Sequence, residues 1–87
     1  MTTKSLEYFL VVVKHLNISK AAKELFISQP ALSKQISQLE AELGVSLFDR
    51  TKHSLKLTHA GEVLLSETNE LFKMINYFLS FLLWIKQ

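Results

Sequence analysis

Between Ser28 and Gly44 the apolar residues Leu32, Ile36, Leu39 and Leu43 recur at spacings of four, three and four, the period of a single buried stripe on an α-helix. Both ends of that helix are marked locally. Ser28 or Gln29 can cap free N–H groups, Pro30 suits a first turn where its missing N–H costs nothing, and Gly44 suits a left-handed stop. The rest of the helix surface carries Pro30, Ser33, Lys34, Ser37 and Gln38, and its acids, Glu40 and Glu42, come only in the last turn. A leading half with hydroxyls, amides and one cation but no carboxylate can meet both phosphates and base edges. Upstream, Leu6, Phe9, Leu10, Val13 and Leu16 repeat at helical spacing and predict a first helix over Thr3–His15. Asn17 reads as its left-handed terminator, and Ser19 as the N-cap of a short second helix through Ala21, Ala22, Leu25 and Phe26. The two alanines allow close approach of a neighbouring helix. The short connection over residues 27–29 then forces the second and third helices to cross steeply, which is a helix-turn-helix unit.

After Gly44 the period changes. Residues 46–50 and 54–58 read as short strands, the second with clean alternation, joined in a β-hairpin. The hairpin carries Arg50, Lys52 and His53 at its tip and Lys56 on its outward side, and a basic hairpin following a helix-turn-helix is a wing. From a cap at Thr58, the positions Ala60, Leu64, Glu67, Leu71, Met74, Phe78, Phe81 and Ile85 alternate four and three apart, a heptad seam broken only by Glu67. A helix of roughly 28 residues extends about 42 Å, too long to lie wholly on so small a body. Much of it must project, and its seam asks for a partner chain. Residues 75–85 add Tyr77, Leu79, Leu82, Leu83 and Trp84, a surface seldom left wet. The run falls short of the roughly 20 apolar residues that span a bilayer, so a membrane is not an expected partner.

Eighty-seven residues with 48% apolar content are enough for one small core. The predicted organisation is mostly α: a winged helix-turn-helix of three helices plus a β-hairpin over residues 1–58, then a linker or dimerisation helix over residues 59–87. The chain has no cysteine, which removes disulfides, thiolate metal sites and thiol nucleophiles and fits a reducing cytoplasm. His15, His53 and His59 lack metal-ligand spacing. Glu40 with Glu42, and Glu67 with Glu70, read as solvated helix faces without a nucleophile beside them. No metal, cofactor or catalytic residue is therefore expected, and the chain does not read as an enzyme. The net charge of +2 conceals an asymmetry: residues 1–58 hold eight Lys/Arg against five Asp/Glu, and residues 59–87 hold two against three. The basic part should face a polyanion. Met1-Thr2-Thr3-Lys4 leads into amphipathic periodicity instead of an apolar run with a cleavage site, so no signal peptide is expected.

Residues 1 to about 65 resemble the N-terminal DNA-binding domain of LysR-type transcriptional regulators. The resemblance rests on Leu6-Glu7-Tyr8-Phe9, Ile18-Ser19-Lys20-Ala21-Ala22-Lys23-Glu24-Leu25, Ile27-Ser28-Gln29-Pro30-Ala31-Leu32-Ser33-Lys34-Gln35-Ile36, Leu39-Glu40-Ala41-Glu42-Leu43-Gly44-Val45, Leu47-Phe48-Asp49-Arg50 and Leu57-Thr58-His59-Ala60-Gly61. It implies a bacterial regulator that binds double-stranded DNA as a homodimer, its long helices pairing antiparallel. By the same resemblance Gln29, Pro30, Ser33 and Lys34 enter the major groove. Ser19 and Lys20 touch phosphate, and Arg50, Lys52 and His53 set the wing along the backbone or in the minor groove. The family often has Arg in place of Lys34, which brings a point charge instead of a bidentate fork, and tends to have Arg in place of His53. The dimer seam is expected to use Leu64, Leu71, Met74, Phe78, Phe81 and Ile85. The family's effector-binding domain of two α/β lobes has no counterpart in these 87 residues. The alternative is a truncated winged-helix interaction module whose apolar helix binds another regulator or a membrane surface.

Overall fold

The computed structural model describes residues 1–51 and 54–87; Lys52 and His53, two of the expected wing contacts, lie outside the described residues. The element order is α1 (Thr3–His15), α2 (Ile18–Leu25), α3 (Gln29–Leu43), β1 (Phe48–Asp49), β2 (Lys56–Leu57) and α4 (His59–Ile85).

Helix α1 starts at a capping box: Ser5 N donates to Thr2 Oγ1 at 3.1 Å and Thr2 N donates to Ser5 Oγ at 2.8 Å, so two otherwise orphaned donors are satisfied. Its end differs from the sequence-based expectation. Leu16, not Asn17, takes the left-handed position at φ 47°. Asn17 is extended, and its Oδ1 accepts from Lys20 N at 2.9 Å, which makes it the N-cap of α2. An amide oxygen that can reach the free N–H groups of the next helix is worth more there than in the turn. Leu16 accordingly stands 43% exposed and Val12 takes the inner place beside Phe9. At the end of α2 the same thing happens: Phe26, expected on the apolar face, is a left-handed cap at φ 57° and is 94% exposed.

Helix α3 follows its sequence signals closely. Ser28 Oγ accepts from Ala31 N at 3.2 Å, Pro30 sits in the first turn, and Gly44 closes the helix at φ 72°. Leu32, Ile36 and Leu39 are buried, whereas Leu43, the expected fourth member of the stripe, is 37% exposed. The hydrophobic core joins these three to Phe9, Val12, Ala21, Ala22, Leu47 and Phe48. Phe9 and Phe48 meet with ring centroids 5.5 Å apart and planes tilted by 48°, a favoured aromatic geometry. Ala21 and Ala22, buried where α2 packs against its neighbours, let the three helices close on one another.

The hairpin is shorter than the pattern suggested. Two residues on each side pair antiparallel, Phe48 with Leu57 and Asp49 with Lys56. Leu47, just before β1, and Phe48 within it are both buried, whereas a strand with one solvated face buries every other side chain. A carboxylate supplies what the missing ladder does not. Glu40 Oε2 accepts from Leu47 N at 2.6 Å, Phe48 N at 3.3 Å and Ser46 Oγ at 3.2 Å.

Helix α4 is capped by Thr58, whose Oγ1 accepts from Gly61 N at 3.0 Å and donates to Ser46 O at 2.6 Å. Gly61 lies where a Cβ would run into the Leu47 carbonyl and approach Leu57 Cδ2 to 2.7 Å, so its lack of a side chain seats the helix against the hairpin. Ala60, Leu64 and Leu65 pack on the core, and buried Thr68 returns its hydroxyl to Leu64 O at 2.6 Å. Beyond that turn the helix projects, which gives the molecule extents of 52 × 27 × 21 Å.

Candidate nucleic-acid interface

Two helix starts lie side by side on one surface. Gln29 is the first residue of α3 and Ser19 the second of α2, and Gln29 Nε2 donates to Ser19 Oγ at 3.0 Å. Around this link Gln29, Pro30 and Lys34 are exposed, Ser33 is half-buried, and Lys20 is exposed on the α2 side. These are the residues expected for the groove and the neighbouring phosphates, and the tertiary structure brings the two sets together. Among the described residues, no carboxylate lies within ion-pairing distance of Lys20 or Lys34.

Three acids of the domain are engaged by other groups. Glu24 accepts from Lys14 Nζ at 2.8 Å and bonds His15 Nε2 at 2.9 Å. The lysine bond, and after it the histidine bond, holds its carboxyl below the ordinary value of 4.5, against a smaller opposing effect of burial. Glu42 takes the N-terminal ammonium of Met1. Glu40, expected on a solvated face, is only 13% accessible at its side chain and pairs with Arg50 Nη2 at 3.4 Å besides holding the strand N–H groups. A polyanion approaching the α2–α3 edge therefore meets ammonium groups that, among the described residues, no carboxylate pairs with, and two helix N-termini.

On the wing, Arg50 is exposed but engaged by Glu40, while Asp49 Oδ1 accepts from Thr51 N at 2.9 Å and Thr51 Oγ1 at 2.6 Å. Lys56 is exposed on β2. On α4, Leu71, Met74, Phe78, Phe81 and Ile85 are all exposed, whereas Leu64 is turned into its own domain's core. Lys73, Met74, Tyr77 and Phe78 line a groove along the projecting helix, and the rings of Phe81 and Trp84 stack with centroids 6.4 Å apart. Among the described residues there is no group of three or more His, Asp or Glu side chains placed to hold a metal, and no helix long and apolar enough to cross a membrane.

Three core helices, the third opened by a serine cap, and a two-stranded wing define a winged helix-turn-helix. Residues 3–62 match the family described as "Bacterial regulatory helix-turn-helix protein, lysR family", and the chain belongs to that family. It is 48% identical over 66 residues to the HTH-type transcriptional regulator AlsR of Bacillus subtilis, covering 76% of this chain and 22% of that protein. With XapR of Escherichia coli it shares 45% identity over 73 residues, covering 84% of this chain and 25% of the relative. The chain thus spans about a quarter of the length of the curated relatives it matches. Among solved structures, the crystal structure of the BenM_DBD/benA site 1 DNA complex superposes with a TM-score of 0.87 at 34% identity, covering 100% of this chain and 98% of that one. The CbnR_DBD–DNA complex superposes with a TM-score of 0.78 at 35% identity, covering 88% of each chain. These relatives are transcriptional regulators, and they give the alternative of a protein-interaction module no support.

Proposed function

We propose that the chain binds double-stranded DNA in a sequence-dependent way as a homodimer, each copy laying the start of α3 in a major groove, and that it regulates transcription in the cytoplasm without catalysing a reaction. The observation that carries this reading is the carboxylate-free edge where α2 and α3 begin, with Gln29, Pro30, Ser33 and Lys34 beside Lys20. Amides and hydroxyls there suit base edges, and the ammonium groups suit phosphate or a guanine acceptor. Lys20 faces the backbone at the front of α2, with Ser19 beside it bonded to Gln29, and Arg50, Lys52 and His53 are proposed to extend the contact. The DNA complexes of BenM_DBD and CbnR_DBD, which share this fold, support the docking mode. Leu71, Met74, Phe78, Phe81 and Ile85 supply the dimer seam, while Leu64 packs on the domain's own core.

The test is fluorescence anisotropy on duplexes selected from a random pool, repeated across a salt series. The expected result is enrichment of a two-half-site sequence, with log affinity falling linearly in log salt by about 0.9 per phosphate contact. A chain that prefers no duplex over competitor DNA at low salt overturns the reading.

A further inference from the structure

Ser and Gln at a helix start ordinarily serve the helix they begin. Here neither is needed for that: Asn17 caps α2 through Lys20 N, and Ser28 caps α3 through Ala31 N. Ser19 and Gln29, ten residues apart, are left to bond to each other across the helix-turn-helix at 3.0 Å. Ser19 is half-buried, a fixed post at the second position of α2, and Gln29 is exposed at the leading tip of α3. A glutamine side chain is among those that lose most rotamer freedom when immobilised. The link to Ser19 removes part of that freedom before any partner arrives.

The link also decides which groups remain. One hydrogen of the Gln29 amide is used on Ser19; the other hydrogen and the carbonyl oxygen Oε1 stay available. A donor and an acceptor on one planar group match the major-groove edge of adenine, which offers the N7 acceptor and the N6 amino donor. Guanine offers two acceptors there and leaves Oε1 without a donor. We propose that Ser19 is a positioning residue that holds the Gln29 amide across the α2–α3 junction, so that this amide selects adenine at one position of each half-site. The proposal rests on the DNA-binding reading above and adds to it a specific division of labour between two side chains.

The experiment is a double-mutant cycle on the 87-residue chain, with Ser19→Ala, Gln29→Ala and the pair measured on the selected duplex and on duplexes changed one base pair at a time. Ser19→Ala is expected to weaken binding to the selected duplex roughly three- to tenfold and to relax preference at the same base pair as Gln29→Ala. It should have no further effect once Gln29 is Ala. Ser19→Thr, which keeps the hydroxyl, should retain the wild-type preference. In the free protein, NMR of the Gln29 side-chain amide should show greater mobility in Ser19→Ala, a readout that a phosphate-binding serine would not move. Uniform weakening on every sequence with a shallower salt dependence, additive effects in the cycle, or preference for a base other than adenine at the Gln29 position overturns the proposal. A wild-type chain without any duplex preference overturns the DNA reading itself and this proposal with it.

Discussion

At the scale of single residues, three positions show how local chemistry competes with the pattern. Phe26 holds a left-handed backbone at φ 57° while its ring is 94% exposed, so it contributes strain of about 1–2 kcal/mol and buries almost nothing. Phe26→Asn, which tolerates that conformation, is expected to raise stability by about 1 kcal/mol, read from urea unfolding. Gly61 is the opposite case. Alanine would gain about 1 kcal/mol of helix propensity, but its Cβ would meet the Leu47 carbonyl and Leu57 Cδ2. Overpacking against backbone costs about 1–3 kcal/mol and wins, so Gly61→Ala should lower the urea midpoint. Glu24, with its carboxyl held below the ordinary value by Lys14 and His15, carries a pH signature. A lowered folded-state pKa adds stability above the unfolded value that is lost as pH falls through the folded one. Thermal midpoints should therefore drop on acidification below about pH 4.5, and Glu24→Gln should flatten that part of the profile.

At the scale of elements, the apolar contact of Leu47 and Phe48 with the core is joined by a polar link from α3 to the wing through one side chain, Glu40. Glu40 satisfies Leu47 N and Phe48 N and pairs with Arg50, in place of the longer strand ladder expected from residues 46–50. Hydrogen bonds to a charged group are worth about 1.5–3 kcal/mol each. Glu40→Ala is expected to destabilise the domain by at least that amount, read by calorimetry, and to release Arg50. That a hairpin follows α3, and the Leu32, Ile36 and Leu39 stripe of α3, were legible in the sequence because alternation and helical period are local. The role of Glu40 was not: in sequence it is one of two acids in a last turn, and only the return of the chain at residues 46–48 brings donors to it.

At the scale of the whole molecule, α4 divides into a packed start and a projecting end. Ala60, Leu64 and Leu65 finish the domain's core, while residues from Leu71 to Ile85 leave their apolar side chains in water. A helix apolar on nearly every side is ordinarily covered, and in the proposed homodimer the seam through Met74, Phe78 and Phe81 is what a second copy covers. Phe78→Glu is expected to yield a folded monomer by sedimentation equilibrium, with helical circular dichroism nearly unchanged. Its affinity for a two-half-site duplex should fall towards that for a single half-site, because the second copy is no longer held at high effective concentration.

What the order of amino acids determined by itself was whatever depends on neighbours within a few turns: the bounds of α1 and α3, the Ser28 and Thr58 caps (but not the expected Ser19 cap, whose place Asn17 takes), the long heptad and the polar, acid-free front of α3. Gly44 is legible as a left-handed stop, but Leu16 and Phe26 are not; Leu16 takes that role where Asn17 is drawn into capping α2. The bond from Gln29 to Ser19, the burial of Glu40 and the turning of Leu64 into its own domain were decided by tertiary structure. Each joins groups that are distant along the chain or chooses between two faces of one helix, and neither distance nor facing is written in a local period.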